Sequence, residues 1–186
     1  MKLSLVGQQT TQFVALMIAT AALVQCGRGK PETDFVGVWK LVSSTAKDGG
    51  GHILSDPLLG QHPRGYLIYG AGGHMCGQLT NPDRVKFANE SSPTPDEALN
   101  AFNEYDAWCA TYSIDSNAGT TSGRSEMDMN PNDSHGEYQR SLKFSGDGRL
   151  VITFDDSTGN GQTYTFTRVY ERATPVEAAR PTQRFP

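Results

Sequence analysis

The stretch Thr163-Tyr-Thr-Phe-Thr-Arg-Val-Tyr-Glu-Arg172, near the end of the chain, decides the fold class. Large residues alternate with threonine, valine and glutamate, which is the period of a β-strand with one covered face. The alternation places the large side chains together on one face: Tyr164, Phe166, Arg168, Tyr170 and Arg172. Because most of this set is aromatic, the face is predicted to point into a core.

The chain before this strand consists of further short β-rich runs divided by turn residues. The predicted strands are 35–42, 65–69, 74–79, 108–114, 120–129, 138–144, 149–154 and 163–171, with a weaker run near His52. Gly70-Ala-Gly-Gly73 predicts a hairpin turn, and Asp155-Asp156 is interpreted as part of another turn. The pattern predicts an all-β protein, an antiparallel barrel of eight or nine strands whose closure removes exposed edges.

One short α-helix is predicted over 94–106. Thr94 suits the N-cap and Pro95 the first helical position, and acidic residues follow at the positive end of the helix dipole. Leu99, Phe102 and Tyr105 recur at helical spacing. We expect this apolar face to pack against the core.

The first 26 residues have the pattern of an export signal. Lys2 precedes the uncharged run 13–24, which is too short to span a bilayer. The alternative for this run is a buried core helix. Leu23-Val-Gln-Cys26 resembles a bacterial lipoprotein signal, in which the cysteine is acylated, although Gln25 stands where that pattern prefers a small residue.

This signal predicts the organisation of the whole chain. A signal peptide at 1–26 is followed by a tether at 27–33, a barrel domain at 34–173 and a disordered tail at 174–186. The protein is expected to be secreted or held in the cell envelope or periplasm, and to reach a membrane only through a lipid on Cys26. Cys76 and Cys109 then remain as a pair, either joined in a disulfide or buried as free thiols.

Composition and spacing argue against several classes of function. The net charge of −4 leaves no basic stripe for nucleic acid. No metal site is expected, because the four histidines lack ligand spacing: His52, His62, His74 and His135. No cofactor is expected either, since no helix follows the glycines at 70–73 as a dinucleotide site requires.

Several ordered motifs are similar to those of a known family. Phe35-Val-Gly-Val-Trp-Lys-Leu-Val42 looks like the opening G-x-W strand of lipocalins. The other matching stretches are Gly65-Tyr-Leu-Ile-Tyr69, Met75-Cys-Gly-Gln-Leu79, Pro82-Asp-Arg84, Ala107-Trp-Cys-Ala-Thr-Tyr112, Gly146-Asp-Gly-Arg-Leu150 and Tyr170-Glu-Arg172. From Asp34 to Ala173 the chain resembles the bacterial and fungal lipocalin-like domain family.

The resemblance implies a barrel with a pocket, and one structural pair of residues. In lipocalins a tryptophan of the first strand packs beneath an arginine of the last strand at the closed end; Trp39 and Arg172 match that pair. The chain departs from the family at Thr120-Thr-Ser-Gly-Arg124, where a histidine-containing strand is common, and at Pro131-Asn-Asp133, where Pro-Asn-Trp is common. No role is carried over to these positions.

Strand alternation also predicts two arginines inside the barrel. Arg168 shares the aromatic face of the last strand, and Arg140 lies between Tyr138 and Phe144 on another. A buried guanidinium needs a partner, and carboxylate or phosphate suits its geometry. The partner is either a ligand anion or an internal carboxylate; alternatively the arginines reach the rim.

The candidate ligand-binding residues are Arg140, Arg168, Tyr138, Tyr66, His74, Gln78 and Phe166. His74 and Gln78 share a face of the hairpin and would supply polar contacts from the opposite wall; His74 is alternatively an acid–base catalyst, or simply exposed. The leading interpretation is an exported protein that binds a small hydrophobic or amphipathic, anionic ligand inside the barrel. The alternatives are a lipocalin-like cyclase or isomerase of secondary metabolism, and an envelope interaction protein with a solid-packed barrel.

Overall fold

Eight antiparallel strands close into a barrel in the computed structural model, which describes residues 32–133, 135–158 and 161–174. The barrel strands are β1 (Gly37–Lys47), β3 (Arg64–Tyr69), β4 (His74–Thr80), β5 (Tyr105–Thr111), β7 (Thr120–Asp128), β8 (Glu137–Phe144), β9 (Leu150–Ser157) and β10 (Thr163–Arg172). Two short strands are added, β2 (Ile53–Ser55) on β1 and β6 (Ser113–Asp115) on β7. The predicted barrel is confirmed. The predicted signal at 1–26 lies outside the described residues, as do most of 27–33 and of the tail.

The barrel closes where β1 pairs with β10, from Trp39 opposite Arg172 to Lys47 opposite Thr165. This pairing defines two ends. We call the end where β1 begins and β10 finishes the closed end, and the other end the mouth. The core lies between them, and its largest fully buried side chains include Trp39, Tyr170, Phe166, Leu67, Leu79 and Leu150.

The closed end is sealed by aromatic rings and one arginine. Trp39 is 1% exposed, and its indole nitrogen donates to the Phe35 carbonyl at 2.7 Å. Phe144 lies 5.7 Å from the Trp39 ring. The Arg172 guanidinium covers the same indole at 4.3 Å and donates to the carbonyls of Val36 and Asp34. The pair implied by the family resemblance is therefore in contact.

The helix differs from its prediction in length and in packing. α1 spans Pro95–Asn103 and begins with a capping box, in which Thr94 and Glu97 bond each other's backbone N–H groups. The prediction that the apolar face of the helix packs against the core is wrong, because Leu99 is 57% exposed and Phe102 is 42% exposed. The helix lies in the connection between β4 and β5, outside the barrel, and within the described residues no helix is long and apolar enough to cross a membrane.

Two further sequence interpretations are corrected by the strands. Asp155 and Asp156 are strand residues, not turn residues, since β9 continues to Ser157 and pairs them with Thr165 and Tyr164. The residue expected to end the helical face, Tyr105, begins β5 instead. Leu99, Phe102 and Tyr105 are at helical spacing, so the sequence pattern did not indicate that the helix ends before Tyr105.

Cys76 and Cys109 form a disulfide between directly opposed positions of β4 and β5, with Cα atoms 4.1 Å apart. Their strand neighbours Met75 and Ala110 are buried, so alternation places the disulfide on the outer wall. Of the two states that the sequence left open, the structure contains the bridge.

Candidate functional site

The interior towards the mouth holds two arginines with different partners. Arg168, on β10, is 5% exposed. Its terminal nitrogens lie 3.8 Å from the Asp56 carboxylate and 3.6 Å from the Asp106 carboxylate. Of the alternatives that the sequence left open, the internal carboxylate is the one found for Arg168.

Asp56 is held by the short connection that follows β2. One of its carboxylate oxygens accepts hydrogen bonds from the backbone N–H groups of Leu58 and Leu59, each at 3.0 Å. The other accepts from the Ser44 hydroxyl at 2.5 Å. Asp56 was not among the predicted site residues, because a Pro-Leu-Leu-Gly segment outside the strands carries no alternation to indicate its direction.

Asp106 reaches the same arginine from the opposite wall, on β5. Burial raises the pKa of this carboxyl above its usual value, and the positive charges of Arg168 and then Arg140 oppose the shift. Sequence analysis missed Asp106 because it placed the residue in the helix. Asp128, opposite Trp108 in the pairing of β5 with β7, also has a pKa raised mainly by burial.

Arg140, on β8, lies among aromatic rings. Its guanidinium carbon is 4.3 Å from the ring centroid of Phe154, 5.3 Å from that of Tyr138 and 5.7 Å from that of Trp108. The residue is partly accessible to solvent. Among the described residues no carboxylate oxygen lies within 4.0 Å of it, so its positive charge lacks an ion-pair partner there. Burial, and next the charge of Arg168, lowers its pKa.

Phenols and rings complete this interior. Burial raises the pKa values of Tyr69, Tyr138 and Tyr170, which keeps these hydroxyls protonated. The Tyr138 hydroxyl donates to the Thr111 carbonyl at 3.0 Å. Phe166 is 2% exposed and stacks on Phe154 at 5.4 Å. Of the predicted set, Arg140, Arg168, Tyr138 and Phe166 are thus gathered in the interior.

The remaining three predicted residues lie on the outer wall, which corrects their placement. Tyr66 is 48% exposed. The His74 ring contacts the Glu126 carboxylate at 2.9 Å, and Gln78 accepts from the Tyr105 hydroxyl at 3.2 Å, both on the exposed side. The inward positions of this hairpin belong to the alternate residues, Leu67, Tyr69, Met75 and Leu79.

A glycine makes room for the ring beside Arg140. Gly77 lies opposite Trp108, and a Cβ atom at Gly77 would stand 2.5 Å from the Trp108 ring. The indole therefore occupies the space that a side chain at 77 would fill. An open cavity of about 250 Å³ is lined by Trp108 and Asp128 together with Met127 and Met129.

A second cavity, of about 330 Å³, lies at the closed end against Phe35, residues 116–119 and Leu142–Phe144. Neither cavity is lined by Arg140 or Arg168. The cavity of about 250 Å³ is the one connected with the arginine site, because Trp108 lines it and also contacts Arg140.

Comparison with known proteins agrees with the architecture. The sequence model of the lipocalin-like domain family matches residues 36–173 of this chain. No curated protein matches the chain. A lipocalin-like barrel is consistent with binding of a small hydrophobic molecule. The chain belongs to the lipocalin-like domain family.

Proposed function

We propose that this protein is an exported binding protein that holds a small, partly apolar anion in the mouth half of its barrel, with the anionic group on Arg140. The observation that carries the proposal is the Arg140 guanidinium, which lies inside the barrel without a carboxylate partner among the described residues. Arg168 has Asp56 and Asp106 beside it, and so contributes less to the first anion.

The surroundings of Arg140 match both parts of such a ligand. Carboxylate or phosphate oxygens pair with a guanidinium through charge-assisted hydrogen bonds, which are stronger where water is scarce. The rings of Phe154, Trp108 and Tyr138 offer apolar walls around the same point. An amphipathic carboxylate would satisfy both, whereas a neutral hydrocarbon would leave the charge unpaired.

Replacement of Arg140 by glutamine is expected to weaken binding of dodecanoate about 10- to 100-fold, the range of one charge-assisted hydrogen bond. Affinity for dodecanol should change much less, since the alcohol carries no charge. Quenching of Trp108, whose ring lies 5.7 Å from the guanidinium, reports the binding. Lys143→Gln is the matched control, because Lys143 lies on the same strand but is exposed. An Arg140→Gln variant that binds dodecanoate as well as Lys143→Gln does would refute the proposal.

Export is the second element of the proposal, and it is supported by the apolar run 13–24 and by Cys26. Protein purified from its own host is expected to lack residues 1–25 and to carry the added mass of acyl chains on Cys26. Intact-mass measurement tests both steps. A cleaved chain without added mass would contradict lipidation alone, and a chain that keeps Met1 would contradict export.

One observation favours an enzyme as the second candidate. Asp106 is a partly buried carboxyl with a raised pKa, 3.6 Å from Arg168, and such groups serve as acids or bases in active sites. A lipocalin-like cyclase or isomerase could use it to move a proton on a bound substrate. Native mass spectrometry of protein from its own host would distinguish the two functions, since an enzyme converts its co-purified molecule on incubation.

A further inference from the structure

The connection Asp56–Gly60, which we call the 56–60 loop, places a carboxylate and an aliphatic side chain inside the barrel. The Asp56 side chain is 0% exposed. Leu59 is 1% exposed and belongs to the same core cluster as Leu67 and Leu79, whereas its neighbour Leu58 is 40% exposed. The loop therefore presents to the interior the two chemical groups that the proposed ligand would present.

The loop has hydrogen bonds within itself, and it is held to the barrel by Asp56 and by the burial of Leu59. Gly60 donates to the Asp56 carbonyl at 2.9 Å, and its φ of +76° lets the chain turn back. Asp56 contacts the barrel at two points: its carboxylate accepts a hydrogen bond from the Ser44 hydroxyl of β1, and it lies beside the Arg168 guanidinium. The loop can therefore leave without breaking the β1–β2 ladder, which ends at Ser55, but it must give up the two contacts of Asp56 and the burial of Leu59.

The contacts of Arg168 are long for its burial. Direct hydrogen bonds from nitrogen to oxygen are about 2.7–3.2 Å long, and the two carboxylate contacts of Arg168 measure 3.6 and 3.8 Å. Its Nε atom is buried and has no hydrogen-bond acceptor among the described residues. A buried donor without an acceptor is costly, so the guanidinium retains capacity for a better-placed anion.

The two arginines face one ring. Their guanidinium carbons lie 4.3 Å (Arg140) and 5.1 Å (Arg168) from the centroid of Phe154. Like charges on the same ring oppose each other, and Arg168 is one of the causes that lower the pKa of Arg140. Among the described residues, carboxylate oxygens lie within 4.0 Å of Arg168 and not of Arg140, so a second anionic group that binds Arg168 must compete with the carboxylates already there.

We infer that the 56–60 loop is an internal ligand, whose Asp56 and Leu59 occupy a second anion subsite at Arg168 that an amphipathic dicarboxylate takes by displacing them. The inference rests on the proposed function, because the first carboxylate of such a ligand binds Arg140. It adds the ligand class, a molecule with two anionic groups and an apolar middle, and it makes the loop a competitor of that ligand.

Two acids of equal length, nonanoate and nonanedioate, test the subsite. In the Asp56→Asn variant the affinity for nonanedioate should rise about tenfold or more, with a much smaller change for nonanoate, because only the diacid needs Arg168. Asparagine keeps an oxygen to accept from Leu58 and Leu59, so the loop loses its charge and not its turn. Leu59→Ala should shift the ratio of affinities in the same direction, and Leu58→Ala, an exposed neighbour, should leave it unchanged.

A second measurement uses the unaltered protein. Binding of nonanedioate should accelerate hydrogen exchange at the amides of Leu58, Leu59 and Gly60, and nonanoate should not. An unchanged ratio of affinities in both loop variants, or exchange that slows when the diacid binds, would overturn the internal ligand. Loss of nonanoate binding in Arg140→Gln would still support the proposed function in that case, whereas nonanoate binding that ignores Arg140 would refute the proposed function itself.

Discussion

Replacing Trp39 by alanine is expected to lower the free energy of unfolding by about 3–5 kcal/mol, the usual cost of removing a fully buried large aromatic side chain. The indole is 1% exposed and joins Phe35, Phe144 and Arg172 at the closed end. The substitution removes its apolar contacts, leaves a cavity and takes away the surface on which the Arg172 guanidinium rests. Urea unfolding followed by circular dichroism measures the loss.

Trp108→Ala is the matched control, because Trp108 is only partly buried and lies away from the closed end. Its loss of unfolding free energy should be clearly smaller than that of Trp39→Ala. Equal losses in the two variants would mean that the sealed end contributes no more to stability than the wall near the mouth.

Replacing Cys76 and Cys109 together by serine is expected to lower the free energy of unfolding by about 3–4 kcal/mol. The disulfide joins residues 33 positions apart in the chain, and cutting it restores conformational freedom to the unfolded state. Serine is tolerated on the outer wall, so the folded barrel should keep its shape. The unfolding midpoint in urea measures the change, and treating the native protein with a reductant should produce the same shift.

The neighbouring outward pair on the same strands provides the control. Gln78 lies opposite Ala107, and replacing both by serine should change the free energy of unfolding by about 0.5 kcal/mol or less. A cysteine-to-serine variant as stable as this control would show that the cross-link contributes nothing to stability.

The architecture was predictable because alternation in β10 and β9 is nearly unbroken. Tyr164, Phe166, Arg168 and Tyr170 are all buried, as their spacing indicated. A period-two pattern indicates which side chains share a face of the strand, and aromatic residues on one face indicate that this face is buried. The inward direction of Arg168 followed from these local facts alone.

The partners of Arg168 were not predictable in the same way. Asp56 lies in an irregular connection and Asp106 at a strand start that keeps helical spacing with Leu99 and Phe102, so neither side chain had a readable direction. The hairpin was misplaced for a related reason. Glycine at 65 and 77 removes side chains from the inward face, and the polar residues His74 and Gln78 were then assigned to it.

The pairing of β1 with β10 has a consequence for how the domain can be rearranged. The backbone N–H of Ala173 bonds the Val38 carbonyl at 2.9 Å, so the last and first strands of the barrel meet at the closed end. A short peptide could join them, and the chain could be opened instead in the exposed segment 88–93, between β4 and α1. Such a circular permutant would keep every strand pair of the barrel.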